Sequence, residues 1–140
     1  MALDTKVKLE LSSVYTSALD LVARSAPLSM APKLTLTNGT GANQADKVWS
    51  DQITIAASSN SDIDLAGTLT DPFGAALSFA RVKLILVVAA RTNTNNVVVG
   101  GASSTFNTWV SGTSPAVIVR PGGLLAVGCS DATAYAVTAT

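Results

Sequence analysis

The stretch LSFARVKLILVVAA, residues 77–90, decides how the chain folds. In an extended backbone successive side chains point to opposite sides, so Val82, Leu84, Leu86 and Val88 share one face, and Arg81, Lys83, Ile85 and Val87 the other. The first face is wholly apolar, and the second passes from charged to apolar along its length. That pattern predicts a strand at the centre of a sheet, its second half buried on both sides.

The same two-residue alternation recurs outward from this stretch. Val7, Leu9 and Leu11 alternate with Lys6, Lys8, Glu10 and Ser12, and Leu34 and Leu36 alternate with Lys33, Thr35 and Thr37. Trp49, Ile53 and Ile55 mark a further strand whose alternation slips at Asp51, where a bulge is expected. Residues 97–99, 116–119, 124–127 and 135–137 complete the set, separated by RTNTNN, SGTSP and RPGG. Arg120-Pro121-Gly122-Gly123 reads as a type II turn, proline presetting φ at the second position and glycine taking the positive φ of the third. Eight or nine short strands predict an all-β, single-domain antiparallel sandwich, jelly-roll or small barrel.

Residues 1–14 read as an N-terminal strand or extended arm, and residues 33–140 as the β core. Between them, residues 15–32 read as an irregular connector or a short helix. Val14, Ala18, Leu21 and Val22 fit helical spacing, whereas Pro27 and Pro32 remove backbone donors and push their predecessors out of the helical region.

Composition narrows the function. The chain has 140 residues, 48% hydrophobic and 13% charged, against ~25% charged in an ordinary soluble domain. Nine basic side chains balance nine acidic ones, so no global field draws the protein to nucleic acid or to an anionic membrane. Histidine is absent, which removes Ser-His-Asp triads, Cys-His dyads and imidazole-bound zinc. The first ten residues lack the apolar segment of a secretory signal, and the longest apolar runs are far shorter than a bilayer span, so an unexported protein without a membrane partner is expected. Aromatic residues make up only 5%, which predicts a thin core and a chain that completes its burial against partners.

Few residues carry candidate chemistry. Asp62 and Asp64, two apart on a strand edge with Asp71 beyond, suggest calcium, but the spacing of a calcium loop is missing and Asp beside Ser and Gly closes Asx turns. As a catalytic pair they would serve a glycosidase, yet so small a chain has little room for a cleft. The glycines at 39, 41, 100, 101, 122 and 123 are not followed by lysine in P-loop register. Cys129, in the apolar run LLAVGC, reads as a small buried hydrophobe, with a reactive thiol as the other reading. No enzyme, cofactor or metal site is expected. The candidate contact residues are Lys6, Lys8, Leu9 and Leu11 on the first strand, and Phe106, Trp109 and Val110 in a loop of small polar residues. Lys6 and Lys8 share one face and suit an acidic partner or an edge guarded against aggregation. Phe106 and Trp109 suit a contact anchor or a cap on the core.

Several longer stretches together resemble a family of small virion proteins of tailed bacteriophages and prophages, from about Tyr15 to the C-terminus. They are GTGANQAD at 39–46 leading to Trp49, Ser50 and Asp51, DIDLAG at 62–67, LTDPFG at 69–74, NTNNV at 93–97 and VRPGG at 119–123. Family members of this appearance continue past the AVTA run with a further apolar strand, whereas this chain stops at Thr140; the expectation is a lost strand or one supplied by a neighbour. The resemblance implies a capsid decoration or cement protein. It would assemble in the host cytoplasm, sit on the outer surface of the capsid, bind the major capsid protein and associate with itself, as a trimer at local three-fold sites. A tail or tail-tip component and a carbohydrate-binding surface protein, using Trp109 and Trp49 with Asp51, are the alternatives.

Overall fold

The computed structural model describes residues 2–18, 22–101 and 106–137. The chain is all-β, with no helix among these residues. Its strands are β1 (Thr5–Lys8), β2 (Leu11–Ala18), β3 (Ala23–Met30), β4 (Lys33–Asn38), β5 (Gln44–Ala45), β6 (Leu69–Thr70) and β7 (Ala76–Leu77). There follow β8 (Arg81–Val82), β9 (Leu84–Val88), β10 (Val97–Gly100), β11 (Ala116–Val119), β12 (Leu124–Gly128) and β13 (Tyr135–Ala136). They form one three-stranded sheet, β1-β4-β5, and the pairs β2-β3, β6-β7, β8-β13, β9-β12 and β10-β11. Every pairing is antiparallel except β4 with β5. The all-β class read from the alternation is the one adopted; these small ladders do not by themselves define a sandwich, a jelly roll or a barrel.

Residues 15–32 correct the sequence reading. Neither a connector nor a helix, the described part of the segment is most of a β-hairpin, with Leu11 opposite Met30 and Ala18 opposite Ala23. Leu19 and Leu21 lie outside the described residues. Val14, Tyr15 and Thr16 are strand-favouring side chains. Pro27 is accommodated opposite Val14 because half the N–H groups of a two-stranded ribbon point away from the partner strand.

This hairpin continues the β1-β4 ladder in one register. Thr5 faces Leu36 and Lys8 faces Lys33, so partner numbers sum to 41 here as they do from Leu11 with Met30 to Ala18 with Ala23. The N–H of Leu9 donates to the Pro32 carbonyl at 3.2 Å and bridges the gap between the two ladders. The result is one long ribbon with a single break, placed where Pro32 has no donor to give.

The 77–90 stretch also departs from expectation. It is divided into β7, β8 and β9 with a bend at Lys83, and β9 pairs with β12 alone among the described residues. Lys83 and Ala89 are buried and Ile85 and Val87 half-buried, while Leu86 and Val88 are 58% and 68% exposed. From Lys83 onward the face that carries the lysine therefore turns inward, and Leu86 and Val88 of the apolar face turn out, while Val82 and Leu84 stay half-buried and Arg81 is exposed. The physical reason is visible at Lys83, only 8% exposed: its ammonium donates to the carbonyls of Gly41 and Asp131, each at 2.6 Å. Two carbonyl acceptors make burial of this cation tolerable.

No strand forms over Trp49–Ile55, and no bulge at Asp51. The Asp51 carboxylate accepts the N–H of Gln52 at 2.7 Å, a local bond that competes with a ladder. The RPGG turn is as read: Gly122 has φ +74°, and the Gly123 N–H donates to the Arg120 carbonyl at 2.8 Å. The buried apolar core is small, consisting of Leu36, Leu77, Ala89 and Val119 among the described residues.

Candidate interaction surface

The ribbon has two unlike faces. Thr5, Val7, Leu34 and Leu36 form the side that packs inward at its base, where Leu36 is buried and the others half-buried. Counting by twos along the shared register, that side continues into Leu9, Leu11, Ser13, Tyr15 and Ser17 and, opposite them, Pro32, Met30, Leu28, Ala26 and Arg24, all exposed, Tyr15 by 75%. The opposite side carries Lys6, Lys8, Glu10, Lys33, Ser12, Ser29, Thr16 and Ser25, with Val14 and Pro27 its main apolar members. The core-facing side of the base thus becomes, in the β2-β3 arm, a mostly apolar side whose described residues are exposed and which ends at Ser17 and Arg24.

The predicted contact residues Lys6, Lys8, Leu9 and Leu11 fall on this ribbon, the lysines on the polar side and the leucines on the apolar side. Lys6 pairs with Asp4 at 3.2 Å and Lys8 with Glu10, exposed pairs of little energetic weight. Sequence reasoning missed Tyr15, Leu28 and Met30. Their signal was the spacing by twos on either side of Pro27, hidden by a proline that was read as a breaker.

Phe106, Trp109 and Val110 form a separate feature. All three are half-buried. The Trp109 indole N–H donates to the Phe106 carbonyl at 2.9 Å, Val110 N–H donates to the Asn107 carbonyl at 3.0 Å, and the Thr108 hydroxyl bonds the Ala136 carbonyl at 3.0 Å. The segment is a compact turn fastened to β13, so the two groups of predicted contact residues lie on separate elements.

A second exposed apolar surface lies on the body. On the outer side of the β9-β12 ladder, Leu86, Val88, Leu124 and Ala126 stand together, with Val88 opposite Leu124 and Leu86 opposite Ala126. Val98 and its partner Ile118 on β10-β11 are exposed as well. The whole chain exposes 10260 Å². A compact folded chain of 14.2 kDa exposes about 6,800 Å², so roughly 3,500 Å² more surface meets solvent than a self-sufficient monomer would leave open.

The carboxylates serve mainly as turn caps. Asp64 accepts the Ala66 N–H at 2.9 Å, and Asp71 accepts those of Phe73 and Ala75, each at 2.9 Å. No group of three or more potential metal ligands occurs among the described residues. An open groove of about 410 Å³ is lined by Trp49, Asp51, Asp62 and Asp64 among others. No helix among the described residues is long and apolar enough to cross a membrane.

Cys129 is half-buried rather than enclosed. Desolvation pushes its thiol above the ordinary value, the neighbouring Asp131 carboxylate pushes the same way by charge and hydrogen bond, and Lys83 opposes both. Because the thiolate is the nucleophile, Cys129 is expected to be alkylated by iodoacetamide at pH 8 more slowly than free cysteine. A rate equal to that of the free amino acid, followed by mass spectrometry, would contradict this placement.

No protein-family model, curated protein or solved structure matches the chain.

Proposed function

We propose that this chain is a non-enzymatic structural protein of a tailed-phage virion, a decoration or cement protein that binds the major capsid protein on the outer surface of the mature head. The observation that best supports the reading is the set of exposed large apolar side chains, several of which share the β2-β3 arm (Leu11, Tyr15, Leu28, Met30) and the outer side of the β9-β12 ladder (Leu86, Val88, Leu124). A protein whose work is binding free energy needs such surfaces and no catalytic centre. Many copies at symmetry-related positions, as trimers at local three-folds, multiply a modest contact into a large collective stabilisation of neighbouring capsomers.

The test is to mix the purified protein with expanded, undecorated capsids and count bound copies per shell. Saturation at a symmetry-determined number, with a higher temperature needed for shell rupture, is the expected result. Trp109→Ala is expected to lower occupancy without altering the far-ultraviolet circular dichroism; unchanged occupancy removes that turn from the contact surface. Failure to bind shells, with the protein found in isolated tails, assigns it to the tail.

One observation favours a second reading, carbohydrate binding. Trp49 and Asp51 line the same groove as Asp62 and Asp64, an aromatic face with carboxylates beside it. Quenching of tryptophan fluorescence by host surface polysaccharide, lost in Trp49→Ala, would support it.

A further inference from the structure

The chain leaves β4 through Asn38-Gly39, and Asn38 is the one asparagine of the sequence that precedes a glycine. We propose that Asn38 is a self-modification site, where the chain converts its own side-chain amide to aspartate or isoaspartate, and that the fold latches this reaction from two sides.

The chemistry needs only the chain and water. The Gly39 nitrogen attacks Cγ of Asn38 and gives its proton to solvent; the N–Cγ bond forms, the Cγ–Nδ2 bond breaks, and ammonia leaves. Water then opens the five-membered imide at one carbonyl or the other, which leaves an aspartate or an isoaspartate whose main chain runs through Cγ. Nothing is oxidised or reduced. Glycine is the follower that favours the attack, because no Cβ obstructs its nitrogen and its backbone bends most freely.

The fold holds this pair in place. Gly39 has φ +139°, a conformation that residues with a side chain rarely adopt, and a Cβ there would lie 2.5 Å from Gln44 Oε1. Asn38 uses its Oδ1 to accept the Leu3 N–H at 3.2 Å, which ties the start of the chain to the end of β4. The same contacts oppose the reaction. The Gly39 N–H donates to the Ala45 carbonyl at 3.2 Å, beside the register of Asn38 with Ala45, so the attacking nitrogen is engaged. The Leu3 bond restrains the amide from turning Cγ toward that nitrogen. Asn38 is exposed, Gly39 is half-buried and Leu3 lies near the chain start, so the latch opens by local fraying and not by global unfolding.

The product matters because of what the turn carries. The Gly41 carbonyl accepts the buried Lys83 ammonium, the Gly41 N–H donates to Gln44 Oε1 at 2.9 Å, and the Asn43 N–H donates to the Ser130 carbonyl at 2.7 Å. An isoaspartate lengthens the main chain by one carbon where β4 enters this turn, which displaces Gly41 and Asn43 from Lys83 and Ser130.

The test incubates the full chain at pH 8, folded and in concentrated urea, and follows each asparagine by peptide mapping with mass spectrometry. In urea Asn38 should react first, and in the folded chain it should react at least about 10-fold more slowly. Leu3→Pro removes one donor of the latch. With circular dichroism unchanged, it should raise the folded rate at Asn38 about 5-fold while the other asparagines keep theirs. Asn38→Asp carries the product's charge without the extra main-chain carbon, so the aged fraction, separated by ion exchange, should melt below this variant. A folded rate equal to that in urea, or a Leu3→Pro rate equal to the parent's, overturns the latch. Another asparagine reacting first in urea overturns the site itself. Equal melting of the aged fraction and Asn38→Asp overturns the link between the modification and the turn.

Discussion

Leu36→Ala is expected to destabilise the protein by about 3 kcal/mol and to lower its melting temperature by roughly 10 °C. Leu36, 2% exposed, is the one large side chain fully enclosed among the described residues. It sits in β4, the middle strand of the β1-β4-β5 sheet, directly opposite Thr5. Truncation removes three carbons from a core with few other large members, and a cavity there has little around it that can collapse inward. Thermal unfolding at fixed protein concentration provides the check. A shift below about 3 °C would mean that the base of the ribbon is held by its hydrogen bonds and not by this side chain.

Lys83→Met is expected to cost about 2–4 kcal/mol, although it replaces a buried cation by an apolar side chain of similar length. The ammonium joins three segments: its own bend between β8 and β9, the turn at Gly41, and the loop at Asp131. Backbone bonds run through the same place, from Asn43 N–H to the Ser130 carbonyl at 2.7 Å and from Cys129 N–H to the Lys83 carbonyl at 3.0 Å. Methionine restores the packing but leaves the Gly41 and Asp131 carbonyls without their donor. The contrast is Lys47→Met. Lys47 also donates to a carbonyl, that of Ser78 at 3.0 Å, but at an exposed position where water replaces it, so a change within about 0.5 kcal/mol is expected. Equal stabilities for the two variants in chemical denaturation would show that water reaches the Lys83 site.

These residues also show how far the sequence could be read. Alternation by twos was enough for the all-β class and for β1, β4, β10, β11 and β12, because a half-buried strand writes its environment into its own spacing. It gave no access to the orientation of β9. Hydrophobic counting turns Leu86 and Val88 inward, and only the carbonyls of Gly41 and Asp131, 42 and 48 residues away from Lys83, reverse that choice. The arm was obscured for a local reason: Pro27 and Pro32 look like interruptions, and nothing in their own neighbourhood states that Pro27 stands opposite Val14. At the candidate surface, Leu9 and Leu11 were legible from their alternation. Tyr15, Leu28 and Met30 were not, since their shared face exists only once the two strands are paired. Trp109 stands out in a polar loop, but its bond to the Phe106 carbonyl depends on how the turn closes.

The constant sum of 41 between partners along the ribbon has a consequence for how its length can vary. Which way Tyr15 and Leu28 face is settled at the base, where Val7, Leu34 and Leu36 lock one side inward. Adding one residue to each strand at the Pro32 break would preserve the pairing and invert every side chain beyond it, turning serines to where the leucines had been. Adding two to each strand would lengthen the arm and leave its facing intact. The arm therefore obeys a parity rule: its reach can change only in even steps without exchanging its sides, and an odd step would produce a chain that keeps its pairing and carries its polar side where the apolar one had been.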